Sequence, residues 1–107
     1  MAIDRFVEAG GRTGVVVYKA ARAVGLAAAG RLEAAAKAVA SAYKEMETYG
    51  ERFAEPLVLE ADARYRHAAG EPGAEELLAR ATERATAGGA HAVARRIQAT
   101  AERLLTP

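Results

Sequence analysis

Few side chains in this 107-residue chain have the type and spacing to do chemistry. The only imidazoles are His67 and His91, and His67 with Glu71, four residues apart, could set two ligands on one helical face. Gly70 and Pro72 interrupt that stretch, because proline cannot continue a helix, so His67 reads as a solvated side chain near a helix end. Glu47, Glu51 and Glu55 form a carboxylate row at four-residue spacing, without the histidine that accompanies glutamates in a di-iron helix motif. Ser41, the only serine, stands in an alanine run with no base nearby in sequence to activate it as a nucleophile. The absence of cysteine removes thiol catalysis, thiolate metal sites and disulfides together. No catalytic, metal or cofactor site is expected, and the chain reads as a non-enzyme.

Phosphate recognition has two candidate locations. The cluster Gly10-Gly11-Arg12-Thr13-Gly14 precedes a helix and could form a backbone nest. A phosphate loop requires Lys and then Ser or Thr after its last glycine, whereas Val15 and Val16 stand there, so the cluster reads as a hinge. Arg95, Arg96 and Arg103 gather on the polar side of a C-terminal helix, where they can meet phosphates without regard to sequence. That grouping supports an alternative reading of the chain as a nucleic-acid coat or compaction protein. Charge is also uneven along the chain, with residues 51–76 at net −4 and residues 77–107 at net +3. Such a pattern suits pairing within a bundle or between subunits.

The elements that position these residues follow from composition. Alanine holds 29 of 107 positions, and together with Glu, Lys, Leu and Arg it accounts for most of the chain, as in long or coiled-coil helices. Strong core formers are scarce, but the net charge of +1 is too small for disorder by self-repulsion. Between Gly14 and Ala54 a heptad register places Tyr18, Gly25, Leu32, Val39, Met46 and Phe53 at one core position, and Ala21, Ala28, Ala35, Ala42 and Tyr49 at the other. No charge falls on either, and six heptads exceed the three or four that argue a coiled coil. Lys19, Arg22, Glu33, Lys37, Lys44, Glu47 and Glu51 collect on the opposite side.

The expected fold is all-α: an N-terminal arm and glycine hinge over residues 1–13, then a single helical domain over 14–107. Within it a long amphipathic helix spans about 14–54, and shorter helices over about 56–69, 73–87 and 90–105 fold back along it. Pro56 and Pro72 suit first helical positions, and the Gly70–Gly73 stretch and the Gly88-Gly89 pair read as helix ends. Residues 57–65 alternate as a strand does, yet helix is preferred, because Glu60 with Arg64 and Asp62 with Arg66 make i,i+4 pairs and Ala, Glu and Arg are poor strand formers.

A helix of about 40 residues is about 60 Å long, against a radius of gyration near 13 Å for a compact domain of this size. Covering its seam therefore calls for a second chain, and the expected function is non-catalytic assembly, with itself or with a partner helix. Nucleic acid is the less favoured partner. Charged residues interrupt every apolar stretch before it reaches membrane-spanning length, and with no signal-like N-terminus the expected location is cytoplasmic.

Overall fold

The computed structural model describes residues 12–50 and 52–106, and all regular structure among them is helical. The helices are α1 (Arg12–Ala28), α2 (Leu32–Tyr49), α3 (Glu55–Ala69), α4 (Ala74–Ala87) and α5 (His91–Leu105), with a 3₁₀ turn over Arg52–Ala54 leading into α3. Residues 1–11, and with them most of the expected arm and hinge, lie outside the described residues; Gly14 already belongs to α1.

The expected single helix over 14–54 is divided in two. Gly30 adopts φ +77, a left-handed conformation that costs a residue bearing a Cβ about 1 to 2 kcal/mol. The Gly30 amide then donates to the Ala27 carbonyl at 3.0 Å and the Arg31 amide to the Leu26 carbonyl at 2.9 Å. This double closure satisfies carbonyls that a helix end leaves free and reverses the chain. Gly70 and Gly89 close α3 and α4 with the same pair of bonds. Pro72 is a turn residue rather than a first helical residue, since Gly73 at φ +103 immediately precedes α4.

Reversal at Gly30 turns α1 and α2 into an antiparallel hairpin, and α4 and α5 form a second one. Helix α3 lies between them, packed on α1, α2 and α4. Val16, Ala20 and Ala23 of α1 and Val39, Ala42 and Met46 of α2 meet Ala54, Val58 and Ala61 in one core cluster. Leu59 and Ala63, on the other side of α3, meet Ala74, Leu78, Ala81 and Ile97 in a second. The radius of gyration is 13.4 Å, the compact value for a chain of this length.

The heptad seam survives in α2 and fails in α1. Ala35, Val39, Ala42 and Met46 are buried as expected, and Leu32 is half-buried. On α1 the buried stripe is Val16, Ala20, Ala23 and Ala27, while Tyr18, Ala21, Gly25 and Ala28 are exposed. The two stripes differ by two residues, about 160° around the helix. Once the chain turns at Gly30 nothing holds α1 to the register of α2, and the face carrying valine removes more apolar surface from water than one carrying Tyr18 and Gly25. Tyr49 and Phe53 are exposed as well, because α2 ends at Gly50 in the left-handed conformation. The seam that a continuous helix would leave for a second chain is thus covered within one chain.

Residues 57–65 are helical, within α3. Seven of the eight residues from Pro56 to Ala63 are buried, which explains the strand-like alternation: a helix enclosed on several sides has no solvent stripe to give it a helical period.

Val39→Asp puts an unpaired carboxylate into the α1–α2–α3 cluster and lowers stability by more than about 3 kcal/mol. Lys37→Asp, on the exposed side of the same helix, changes it by less than about 0.5 kcal/mol. Denaturant melts of the two variants check this, and equal midpoints would contradict the packing of α2.

Candidate functional site

Enclosure of α3 brings two carboxylates into the interior. Glu60 and Asp62 are 3% and 6% exposed, and a buried carboxylate is tolerated only when it is paired and hydrogen-bonded. The Arg96 guanidinium of α5 donates to both Glu60 oxygens, at 2.7 and 2.9 Å. This bidentate geometry is the strongest arrangement available to the pair. The Thr100 hydroxyl lies 3.2 Å from the same carboxylate, and Arg64 donates to Thr100 at 3.1 Å while its guanidinium stands 3.6 Å from Glu60. One residue pair further along α3, Asp62 accepts from the Tyr43 hydroxyl of α2 at 2.7 Å and from Arg66 Nε at 3.0 Å. Arg66 continues to the Pro72 carbonyl in the α3–α4 turn at 3.2 Å. Helix α3 therefore clasps α5 through Glu60 and α2 through Asp62.

Titration follows this geometry. Burial, and then the hydrogen bond and charge of Asp62, raise the Tyr43 phenol far above its ordinary range, and the hydrogen bond to Asp62 also raises Arg66. Tyr65 is raised by its hydrogen bond to Glu71. Glu60 is saturated with donors and covered by α5, so it is an anchor between helices with no free face for a reactant. His67 and His91 are exposed, and among the described residues no three histidine, aspartate or glutamate side chains come together as metal ligands. Glu51, the middle of the carboxylate row, lies outside the described residues.

Of the three arginines suggested for phosphate contact, Arg96 is turned inward to Glu60, while Arg95 and Arg103 are exposed on α5 without a carboxylate partner among the described residues. Arg84 pairs with Glu55 at 3.7 Å, so part of the excess positive charge of the C-terminal segment is matched by the acidic segment within the chain. No helix among the described residues is long and apolar enough to cross a membrane.

An accessible feature with binding character is a groove of about 560 Å³ between the start of α3 and the α4–α5 turn, lined among others by Phe53, Pro56, Leu57, Ala85 and Val93. Phe53 is 60% exposed, the most exposed of the large apolar side chains among the described residues. Arg52 and Arg84 stand at this groove on either side of Glu55, within 3.8 and 3.7 Å of it. Sequence reasoning placed Phe53 at the end of the seam and missed the groove, whose far wall comes from α4 and α5. Comparison with protein-family models, curated proteins and solved structures finds no match to the chain.

Removing Arg96 leaves a buried carboxylate short of its main partner, so Arg96→Ala lowers stability by about 3 kcal/mol, whereas replacing Glu60 and Arg96 together by Leu and Met costs much less. Chemical denaturation of the single and double variants checks this. Equal losses in both would show that Glu60 is not held by Arg96.

Tyr43 has a higher pKa in the folded chain than in the unfolded one. Its contribution to stability is complete below about pH 10 and declines as pH rises past that point toward the folded-state value. Tyr43→Phe should lower stability by about 1 to 2 kcal/mol at neutral pH and flatten the loss above pH 10. Melts of wild type and variant across pH 7 to 11 decide it, and parallel curves would contradict the Tyr43–Asp62 bond.

Proposed function

We propose that this chain is a non-catalytic helical interaction protein that pairs with a second copy of itself through the groove at Phe53. The observation behind this reading is the exposed phenyl ring beside an apolar groove. An interface about a two-fold axis uses one patch twice and must be self-complementary. This patch carries a projecting aromatic ring and an apolar recess formed by Leu57, Pro56 and Val93, together with Arg52, Arg84 and Glu55 at its edge. Phe53 of each copy enters the recess of the other, and opposite charges at the rim meet across the axis. A buried aromatic anchor in a pocket is the feature that dominates binding energy at such contacts.

The pairing differs from a coiled coil along α1 and α2. The inward faces of those helices are already used within the chain, and the contact falls at the end of the bundle where α3 begins.

Sedimentation equilibrium on the full chain over micromolar to submillimolar concentration should give a monomer–dimer equilibrium. Phe53→Asp, which changes only an exposed side chain, should weaken it at least about thirtyfold, the equivalent of 2 kcal/mol, with an unchanged circular dichroism spectrum. A wild-type chain that stays monomeric throughout, or a variant that dimerises as well as wild type, would overturn the reading. A wild-type monomer that instead bound a different helical chain through Phe53 would replace the second copy as partner.

A further inference from the structure

A second groove, of about 510 Å³, runs between α1 and α2 and differs from the first in its charge. Tyr18, Lys19 and Arg22 line it from α1, and Lys37 and Ser41 from α2, with Ala34 and Ala38 as the small residues between them. Among the described residues three cations face this space and no carboxylate lines it. Lys19 is held at 3.8 Å by Glu45. Arg22 and Lys37 have no carboxylate partner among the described residues.

Like charges brought together on two helices repel, and apart from the Lys19–Glu45 pair the hairpin gains nothing from them. Its packing lies on the other faces, through Val16, Ala20, Ala23, Val39 and Ala42. A groove lined by charge of one sign concentrates counter-ions of the opposite sign. The remaining lining is suited to more than a simple ion. The Tyr18 ring is half exposed at 49%, most of the lining surface is apolar, and the volume falls in the usual range of small-molecule sites, about 300 to 1,000 Å³. The combination of cations, the Ser41 hydroxyl, the Tyr18 phenol ring and an alanine floor matches an anionic head joined to a flat or apolar body.

We propose that this groove binds a phosphomonoester of that kind, with the phosphoryl dianion between Arg22 and Lys37, the Ser41 hydroxyl donating to it, and the body against Tyr18, Ala34 and Ala38. The guanidinium of Arg22 matches phosphate oxygens in a fork, and the ammonium of Lys37 acts as a point charge. Two sources share this chemistry, a free small organic phosphate and a lipid phosphate headgroup. The site is separate from the Phe53 groove and stands whether or not the chain dimerises there.

The test is calorimetric titration of the full chain at low salt with phenyl phosphate, inorganic phosphate and phenol, together with sedimentation on phosphatidylcholine vesicles with and without phosphatidic acid. Phenyl phosphate should bind saturably and more tightly than inorganic phosphate, and phenol should not bind. Arg22→Ala with Lys37→Ala should weaken phenyl phosphate by about tenfold or more, as expected for the loss of charge-assisted hydrogen bonds, while Lys44→Ala, an exposed cation outside the groove, leaves it unchanged. Tyr18→Ala should weaken phenyl phosphate and leave inorganic phosphate as it was. All these positions are exposed, and matching melting curves establish that the variants fold. Retention on phosphatidic acid vesicles that is lost in the double variant identifies the lipid source, and phenyl phosphate binding without retention identifies the free one. Absence of both, binding that survives the double substitution, or equal weakening by Lys44→Ala would overturn the proposal.

Discussion

The structure depends on how α3 is enclosed. A helix on the surface of a small domain buries one stripe and leaves its polar residues in water, but α3 has a hairpin on each side and takes Glu60 and Asp62 into the interior with its apolar residues. Desolvating two carboxylates is costly, and only close, fully directed partners offset it. Those partners come from three directions: Arg96 and Thr100 on α5, Tyr43 on α2, and Arg64 and Arg66 on α3 itself. Each carboxylate thereby fixes the position of a different neighbour. The central helix is solvated internally by the elements that enclose it.

The composition of the core makes these clasps important. Among the described residues, twelve of the twenty buried apolar side chains that form the core are alanine. Alanine faces let helices approach closely, but each methyl removes little surface from water, and a row of equal methyl groups offers few distinct knobs to choose one register over another. Helix α5 illustrates this, since Ile97 is its only large, fully buried apolar side chain. The bidentate contact between Arg96 and Glu60 has one geometry and cannot slide by a turn. Register is thus set by the polar contacts, and the alanine faces supply the close fit around them.

Much of this was legible in the chain, and its failures have specific causes. The all-helical class, the breaks near Gly70 and Gly88-Gly89, the α2 stripe Ala35, Val39, Ala42 and Met46, and the pairs Glu60–Arg64 and Asp62–Arg66 are all present. The long helix was misread because the heptad count runs through Gly30 without placing it at a core position. A single glycine after three alanines carried the turn, and periodicity does not register it. With the turn missed, the α1 register and the argument from helix length went wrong together. Tyr43–Asp62 and Arg96–Glu60 join residues 19 and 36 positions apart, beyond the reach of any local pattern. A signal for them did exist: charged residues at 60 and 62, alternating with apolar ones, in a segment too apolar around them to be a solvated face.

Charge distribution links the interior to the surface. The acidic segment 51–76, which contains α3, and the basic segment 77–107, which contains α5, neutralise each other in part through Glu60–Arg96 and Glu55–Arg84. Among the described residues, helices α1 and α2 have no such pairing with another segment, only the Lys19–Glu45 pair between themselves. Their cations Lys19, Arg22 and Lys37 face one groove, and among the described residues Lys19 alone of the three has a carboxylate within ion-pair distance, that of Glu45 at 3.8 Å. Surface charges that repel one another add nothing to the fold, and their effect is exerted on what approaches from solution. The Phe53 groove, where Arg52 and Arg84 are balanced by Glu55, presents both signs to a partner, whereas the α1–α2 groove presents one. The two surfaces, of comparable volume on one bundle, therefore differ in charge, and the occupants proposed for them differ accordingly, an apolar contact with a second copy for the first and an anion for the second.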